Sequence, residues 1–105
     1  LMQSVHIVAV IKAKTGLRKD LLKLFLDNVP LVLAENGCIQ YQPVIDTEDG
    51  GSIQTKFGDD SFVVVEEWES MDALKAHASS DHMLAYAAKS KDLIAERTIH
   101  ILSPV

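Results

Sequence analysis

The sequence predicts an α+β fold of the ferredoxin-like kind, with element order β-α-β-β-α-β, an antiparallel sheet and helices on one face of it. Three observations carry this. Four short runs have strand character: Val5 to Ile11, Cys38 to Ile45, Ser61 to Glu69 and Thr98 to Leu102. Helical spacing fills the gaps between the first and second run and between the third and fourth. The length, 105 residues, fits one domain over positions 1–105, since domains cluster at roughly 100 to 150 residues.

The first run, VHIVAVI, is rich in β-branched residues and apolar at both parities apart from His6. It reads as a strand covered on both faces, central or interfacial. From Leu17 the period becomes helical: Leu21, Leu22, Phe25, Val29, Val32 and Leu33 recur at that spacing, and Gly37 stands where a helix C-terminal glycine would. Pro30 removes a backbone donor and crowds the preceding turn, so a kink or restart is expected there. Leu24, Leu26 and Leu31 lie off the stripe and imply either a lined pocket or a subunit contact.

Cys38 to Ile45 alternates, with Ile39, Tyr41, Pro43 and Ile45 on one parity and Cys38, Gln40, Gln42 and Val44 on the other. Pro43 argues for an edge strand or a bulge. Residues 46–60 (DTEDGGSIQTKFGDD) are polar and contain glycine, a long loop read as a candidate lid or exchanged arm. SFVVVEEWE (Ser61 to Glu69) is the clearest strand; Ser70 can cap a short helix through Ala78, and Ser79 or Ser80 a second one. Strands one and three are apolar on both parities, so helices on one face leave an apolar sheet face bare. A homodimer through that open face is the economical expectation.

Apolar residues form 48% of the chain and charged ones 24%, a globular balance far from that of disordered chains. Fifteen acidic against ten basic residues give a charge of −5, and the lysines are scattered, which counts against nucleic acid as a partner. The lone Cys38 cannot form an internal disulfide and lies in an apolar run, where a thiol behaves as a small hydrophobe. No apolar stretch approaches the roughly 20 residues of a membrane span, and the N-terminus lacks a basic segment followed by an apolar core. A cytoplasmic location is the expectation. Leu1 before Met2 reads as an expression remnant and is left out of the fold argument.

The densest cluster of reactive side chains is Glu66, Glu67, Trp68, His77 and His82. Strand parity puts Glu66 on one surface with Phe62, Val64 and Trp68, and Glu67 on the other. If the shared surface faces the helices, a carboxylate sits in an apolar pocket beside an indole, where burial raises its pKa and suits it to proton transfer. The competing reading is a solvated acid at the sheet edge, paired to a lysine or arginine. His77 lies near Leu74 on the short helix and could reach the same pocket as acid, base or donor, although a lone helical histidine is more often structural. His82 stands at a helix start.

No metal is expected: His77 and His82 are five apart across a helix break, with no cysteine or further histidine nearby. Cys38 has no local catalytic partner, G-x-S-x-G and phosphate-binding loops are absent, and so are flavin and nicotinamide fingerprints. Phe25, Tyr41, Trp68 and Tyr86 offer an aromatic lining, or are plain core.

The stretch FVVVEEWESMDALKAHASSDHMLAY (Phe62 to Tyr86) resembles the signature region of antibiotic biosynthesis monooxygenase domains: an acid, one residue, Trp, a helix, Ala-His and a second helix. VPLVLAENGCIQYQPVID (Val29 to Asp46) and IHILSPV (Ile99 to Val105) resemble the quinol monooxygenase branch of that family. The resemblance implies a dimer whose two sheets pack as an α/β-barrel, and a pocket between sheet and helices. It also implies oxygenation of quinol-like or polycyclic phenolic substrates by molecular oxygen, with no cofactor. Glu66, Trp68 and His77 match the family pattern, and His82 matches it weakly. Polyketide-oxidising members place an Asn four residues before the Trp, where this chain has Val64, and haem-degrading relatives use a histidine where it has Ala87. Two other functions stay open: isomerisation of a small phosphorylated metabolite, and a dimer that binds a hydrophobic ligand without turnover.

Overall fold

The computed structural model describes residues 3–105; Leu1 lies outside the described residues. Its elements run β1 (Val5–Ala13), α1 (Arg18–Leu33), β2 (Cys38–Val44), β3 (Ser61–Trp68), α2 (Met71–Ala78), α3 (Asp81–Ser90) and β4 (Ile94–Leu102). The sheet order is β2-β3-β1-β4, with every neighbouring pair antiparallel. β1 and β2 thus run parallel with β3 between them, and β3 and β4 run parallel with β1 between them. These are two interlocked split βαβ units, the predicted ferredoxin-like plan. Within one chain the sheet is open at both edges.

Burial in β1 alternates: Val5, Ile7, Ala9, Ile11 and Ala13 are buried against the helices, while Val8 and Val10 on the other face are half-buried. The register pairs Val5 with Trp68, Ile7 with Glu66, Ala9 with Val64 and Ile11 with Phe62, which puts the even-numbered side of β3 under the helices. Leu21, Phe25, Asn28 and Val32 form the buried stripe of α1 at the i, i+4, i+7 spacing that matches 3.6 residues per turn. Burying each of the large apolar side chains contributes about 1.5 to 3 kcal/mol; Trp68, Phe62, Ile7, Leu21, Val32 and Val64 have almost no exposed surface.

Some sequence expectations need correction. Of the kink or restart expected at Pro30, the restart does not occur: α1 runs unbroken to Leu33, because one lost donor near the end of a helix removes little of its ladder. β4 begins at Ile94, four residues before the expected Thr98. Pro43 does lie on an edge strand, as expected, since β2 stands at the end of the sheet order, beside β3. The pairing of β2 slips between Cys38 and Gln40, leaving Ile39 as the extra, outward residue.

The helical pair is cut where two serines cap it. Ser70 Oγ accepts from Ala73 N at 3.1 Å, and Ser80 Oγ accepts from Met83 N while donating to the His77 carbonyl at 2.8 Å. One hydroxyl therefore ends α2 and starts α3. Gly37 closes the turn after α1 with φ of +85°. A Cβ there would meet the Ala73 Cβ at 2.6 Å, so both backbone sign and space require glycine. The long loop holds itself shut: Asp46 accepts from Phe57 N at 3.0 Å and from Gly58 N at 2.9 Å. No described helix is long and apolar enough to cross a membrane.

Candidate active site

Between the sheet and the helices lies a cavity of about 380 Å³, within the range of small-ligand sites. Its floor is Ile7, Ala9, Ile11 and Val64 from β1 and β3, and its roof is Leu74, His77, Met83 and Tyr86 from α2 and α3. Phe25 and Tyr41 wall one side, with rings 5.3 Å apart and nearly parallel. Lys91 and Arg97, both exposed, also line it and stand where it meets solvent.

Glu66 is the carboxylate on this wall, and the structure decides between its two readings. It is 7% exposed, paired across the sheet with Ile7 on one side and Tyr41 on the other, with no lysine or arginine against it among the described residues. Burial pushes its pKa up to about 7; the Trp68 N–H pulls the other way, and the negative charge of Glu35 adds to the rise. A carboxyl poised near neutrality can give or take a proton at working pH. Trp68 Nε1 donates to Glu66 Oε1 at 2.9 Å, fixing one oxygen and leaving the other free.

His77 is buried beside this pair, its ring centroid 4.5 Å from that of Trp68 and 5.4 Å from that of Tyr41. Its Nδ1 lies 2.8 Å from Glu35 Oε2. A carboxylate only accepts, so Nδ1 carries the hydrogen, and in the neutral ring Nε2 is left as an acceptor. The same Glu35 oxygen lies 2.9 Å from His82 Nε2, so one carboxylate oxygen takes two imidazole N–H groups.

The candidate residues thus separate. Glu66, His77, Tyr41, Phe25 and Tyr86 meet in one cavity. Trp68, expected as part of the substrate wall, is fully buried and does not line it; it touches the cavity lining through Glu66, His77 and Tyr41. His82, expected to bind substrate, lines instead a smaller groove between α1 and α3. Of the off-stripe leucines, Leu24 and Leu31 line that smaller groove and Leu26 is exposed. None of residues 46–60 lines the main cavity. Glu35, which the sequence reading passed over, is the third partner whose apparent absence counted against a metal: its Oε2, His77 Nδ1 and His82 Nε2 all lie within 4.8 Å of one another.

Two further groups have defined states. Burial, then the charge of Glu66, pushes the Tyr41 phenol far above its ordinary value, which keeps it a hydrogen-bond donor. Burial, then Glu35 and Glu66, also raises the Cys38 thiol, which disfavours the reactive thiolate. The Tyr86 hydroxyl is buried and has no well-formed hydrogen bond among the described residues; the Ser90 hydroxyl close to it donates to the Tyr86 carbonyl at 2.8 Å instead. Buried orphans of this kind are rare and call for an explanation.

A sequence profile of the family described as antibiotic biosynthesis monooxygenase matches residues 4–89. The chain belongs to the antibiotic biosynthesis monooxygenase family. Among curated relatives, "Probable quinol monooxygenase YgiN" of Escherichia coli (strain K12) is 39% identical over 100 residues, covering 93% of this chain and 95% of that one. Two solved structures share the fold. Rv0793 from Mycobacterium tuberculosis has a TM-score of 0.79 at 25% identity, covering 97% of this chain and 95% of that one. PA3566 from Pseudomonas aeruginosa has a TM-score of 0.82 at 24% identity, covering 100% and 98%. Membership in this family and the likeness to YgiN support a monooxygenase acting on a small molecule. In this family member the acid and the Trp sit on β3 and the Ala-His pair on α2.

Proposed function

We propose that the chain is a cofactor-independent monooxygenase that oxidises a quinol-like or polycyclic phenolic substrate with molecular oxygen. The observation that carries this is the buried Glu66 carboxyl, held near neutrality on the wall of an apolar cavity with the His77 imidazole beside it. A quinol hydroxyl bound there gives its proton to Glu66 or to His77 Nε2, and the Tyr41 hydroxyl is the donor available to an oxygen atom of the substrate. The deprotonated ring is electron-rich enough to reduce oxygen if its charge is stabilised and water is kept out. Quinol plus oxygen to hydroxyquinone plus water balances with no added reductant. One oxygen atom replaces a ring hydrogen, the other leaves as water, and the quinol supplies all four electrons.

The working unit on this reading is a cytoplasmic homodimer. Support comes from the sheet face away from the helices, where Val8, Val10 and Val65 are only half-buried and Val44 and Leu102 are exposed. In the loop, Ile53 and Phe57 are 95% and 58% exposed, as an arm laid on a partner would be. The decisive experiment is oxygen consumption with a panel of reduced benzo- and naphthoquinols, corrected for autoxidation, for wild type, Glu66→Gln and His77→Ala. Uptake above background that falls by at least about a hundredfold in the variants is expected, the usual worth of general acid–base catalysis. Background rates throughout would overturn the reading, and turnover that persists without oxygen would point to isomerisation.

A further inference from the structure

We propose that Glu35, His77 and His82 form a binding site for a divalent transition-metal ion, best matched by zinc, in which the ion replaces the two protons the three side chains now share. Two imidazole nitrogens and one carboxylate oxygen are the donor set of three-ligand zinc sites, which leave a fourth position for water. Three separate elements supply them: Glu35 the turn after α1, His77 the last turn of α2, and His82 the first turn of α3. The side chains are 13%, 6% and 22% exposed, respectively, and packing and the two contacts to one Glu35 oxygen hold them together before any ion arrives.

The distances define what must move. Nδ1 of His77 and Nε2 of His82 lie 2.8 and 2.9 Å from the one Glu35 oxygen, the lengths of hydrogen bonds. Ligand atoms around a tetrahedral zinc, with bonds of about 2.0 to 2.1 Å, stand roughly 3.3 to 3.4 Å apart. Each contact therefore opens by about half an ångström, within reach of a torsional adjustment of the Glu35 side chain or of the half-buried His82. Neither Glu35 nor His82 lines the main cavity, so the ion sits behind His77, away from bound substrate.

Its effect on the cavity follows from valence. With Nδ1 hydrogen-bonded to Glu35, neutral His77 presents an acceptor at Nε2; with Nδ1 bound to metal, the ring hydrogen moves to Nε2 and the ring presents a donor. Occupation of the site thus reverses the polarity of the group facing the cavity. That consequence for turnover rests on the quinol reading above; the site itself does not.

The test is calorimetric titration of chelator-treated protein with zinc chloride, for wild type, Glu35→Gln and His82→Gln, each checked for native circular dichroism. Nitrogen-15 spectra of the His77 imidazole are recorded alongside. One zinc per chain is expected, bound at least about tenfold more weakly by either variant, with the hydrogen passing from Nδ1 to Nε2 on saturation. Binding as strong in both variants as in wild type, no heat at submillimolar zinc, or an unchanged His77 tautomer at saturation would each overturn the proposal. Should one variant not fold, the other and the His77 spectrum still decide it. Neither readout needs turnover, so a failed oxygen-uptake assay leaves this result interpretable.

Discussion

Trp68 Nε1 lies 2.9 Å from Glu66 Oε1, and the two side chains stand on the same face of β3, under the helices. The contact ties a core residue to a reactive one. The indole anchors packing on its rings and, through its single N–H, orients the only carboxylate on the cavity wall among the described residues.

The raised pKa of Glu66 predicts a pH-dependent stability. Below its ordinary value of 4.5 the carboxyl is protonated in both folded and unfolded chains and there is no penalty. Between there and about 7 the unfolded chain releases a proton that the folded chain keeps, so stability falls as pH rises. Above that range the loss levels off, at about 3 kcal/mol for a shift of this size. Glu66→Gln has no such proton, so its stability relative to wild type should climb between pH 4.5 and 7.5 in urea unfolding; a gap that does not vary with pH would refute this.

Trp68→Phe removes the donor that holds the Glu66 pKa down. The limb of the pH–rate profile that reports ionised Glu66 should then move to higher pH, and Tm should drop because a smaller ring leaves a void. The profile of kcat/KM against pH measures it. A lower Tm with an unmoved limb would mean that the indole only packs.

The buried, unpartnered Tyr86 hydroxyl predicts a substitution that helps stability and leaves binding alone. Tyr86→Phe should leave the free protein as stable or more stable by about 1 kcal/mol, since an unmet buried hydroxyl is removed. Affinity for a quinone should change little, because that oxygen has no surface open to the cavity. Thermal melts and fluorescence titration test both; loss of stability, or loss of affinity, would overturn the assignment.

Val10 lies on the sheet face away from the helices, at the centre of the sheet. Val10→Lys should convert a dimer into a folded monomer, since burying an unpaired ammonium at an apolar interface costs several kcal/mol. Light scattering after gel filtration gives the mass, and a monomeric wild type would refute the dimer.

The alternation of strands and helices was readable because its signal is local: β-branched runs, a period of 3.6, and Ser70 and Ser80 at the helix starts. The face of β3 was not, because parity groups Glu66 with Val64 and Trp68 without saying which surface the helices cover. That depends on pairing with Ile7 and Tyr41, which are distant in sequence. Glu35 was missed for the same reason, being 42 and 47 residues from the histidines it joins. Parity with Glu66 suggests Trp68 for the cavity wall, yet its indole is fully buried outside the lining, with its ring tilted against that of His77. β4 began earlier than expected because Glu96 and Arg97 on an edge strand mask its period.

Asp46 grips Phe57 N and Gly58 N with its two oxygens, and these hydrogen bonds, that from Gly58 first, hold its carboxyl below the usual carboxylate range. The chain consequently leaves and rejoins the domain at nearly one point, and the intervening residues form a closed ring. What lies inside the ring can lengthen, shorten or change composition without passing strain to β2 or β3. In evolutionary terms residues 47–56 are a cassette whose length can change independently of the sheet, with Ile53 answering only to the partner surface proposed for it.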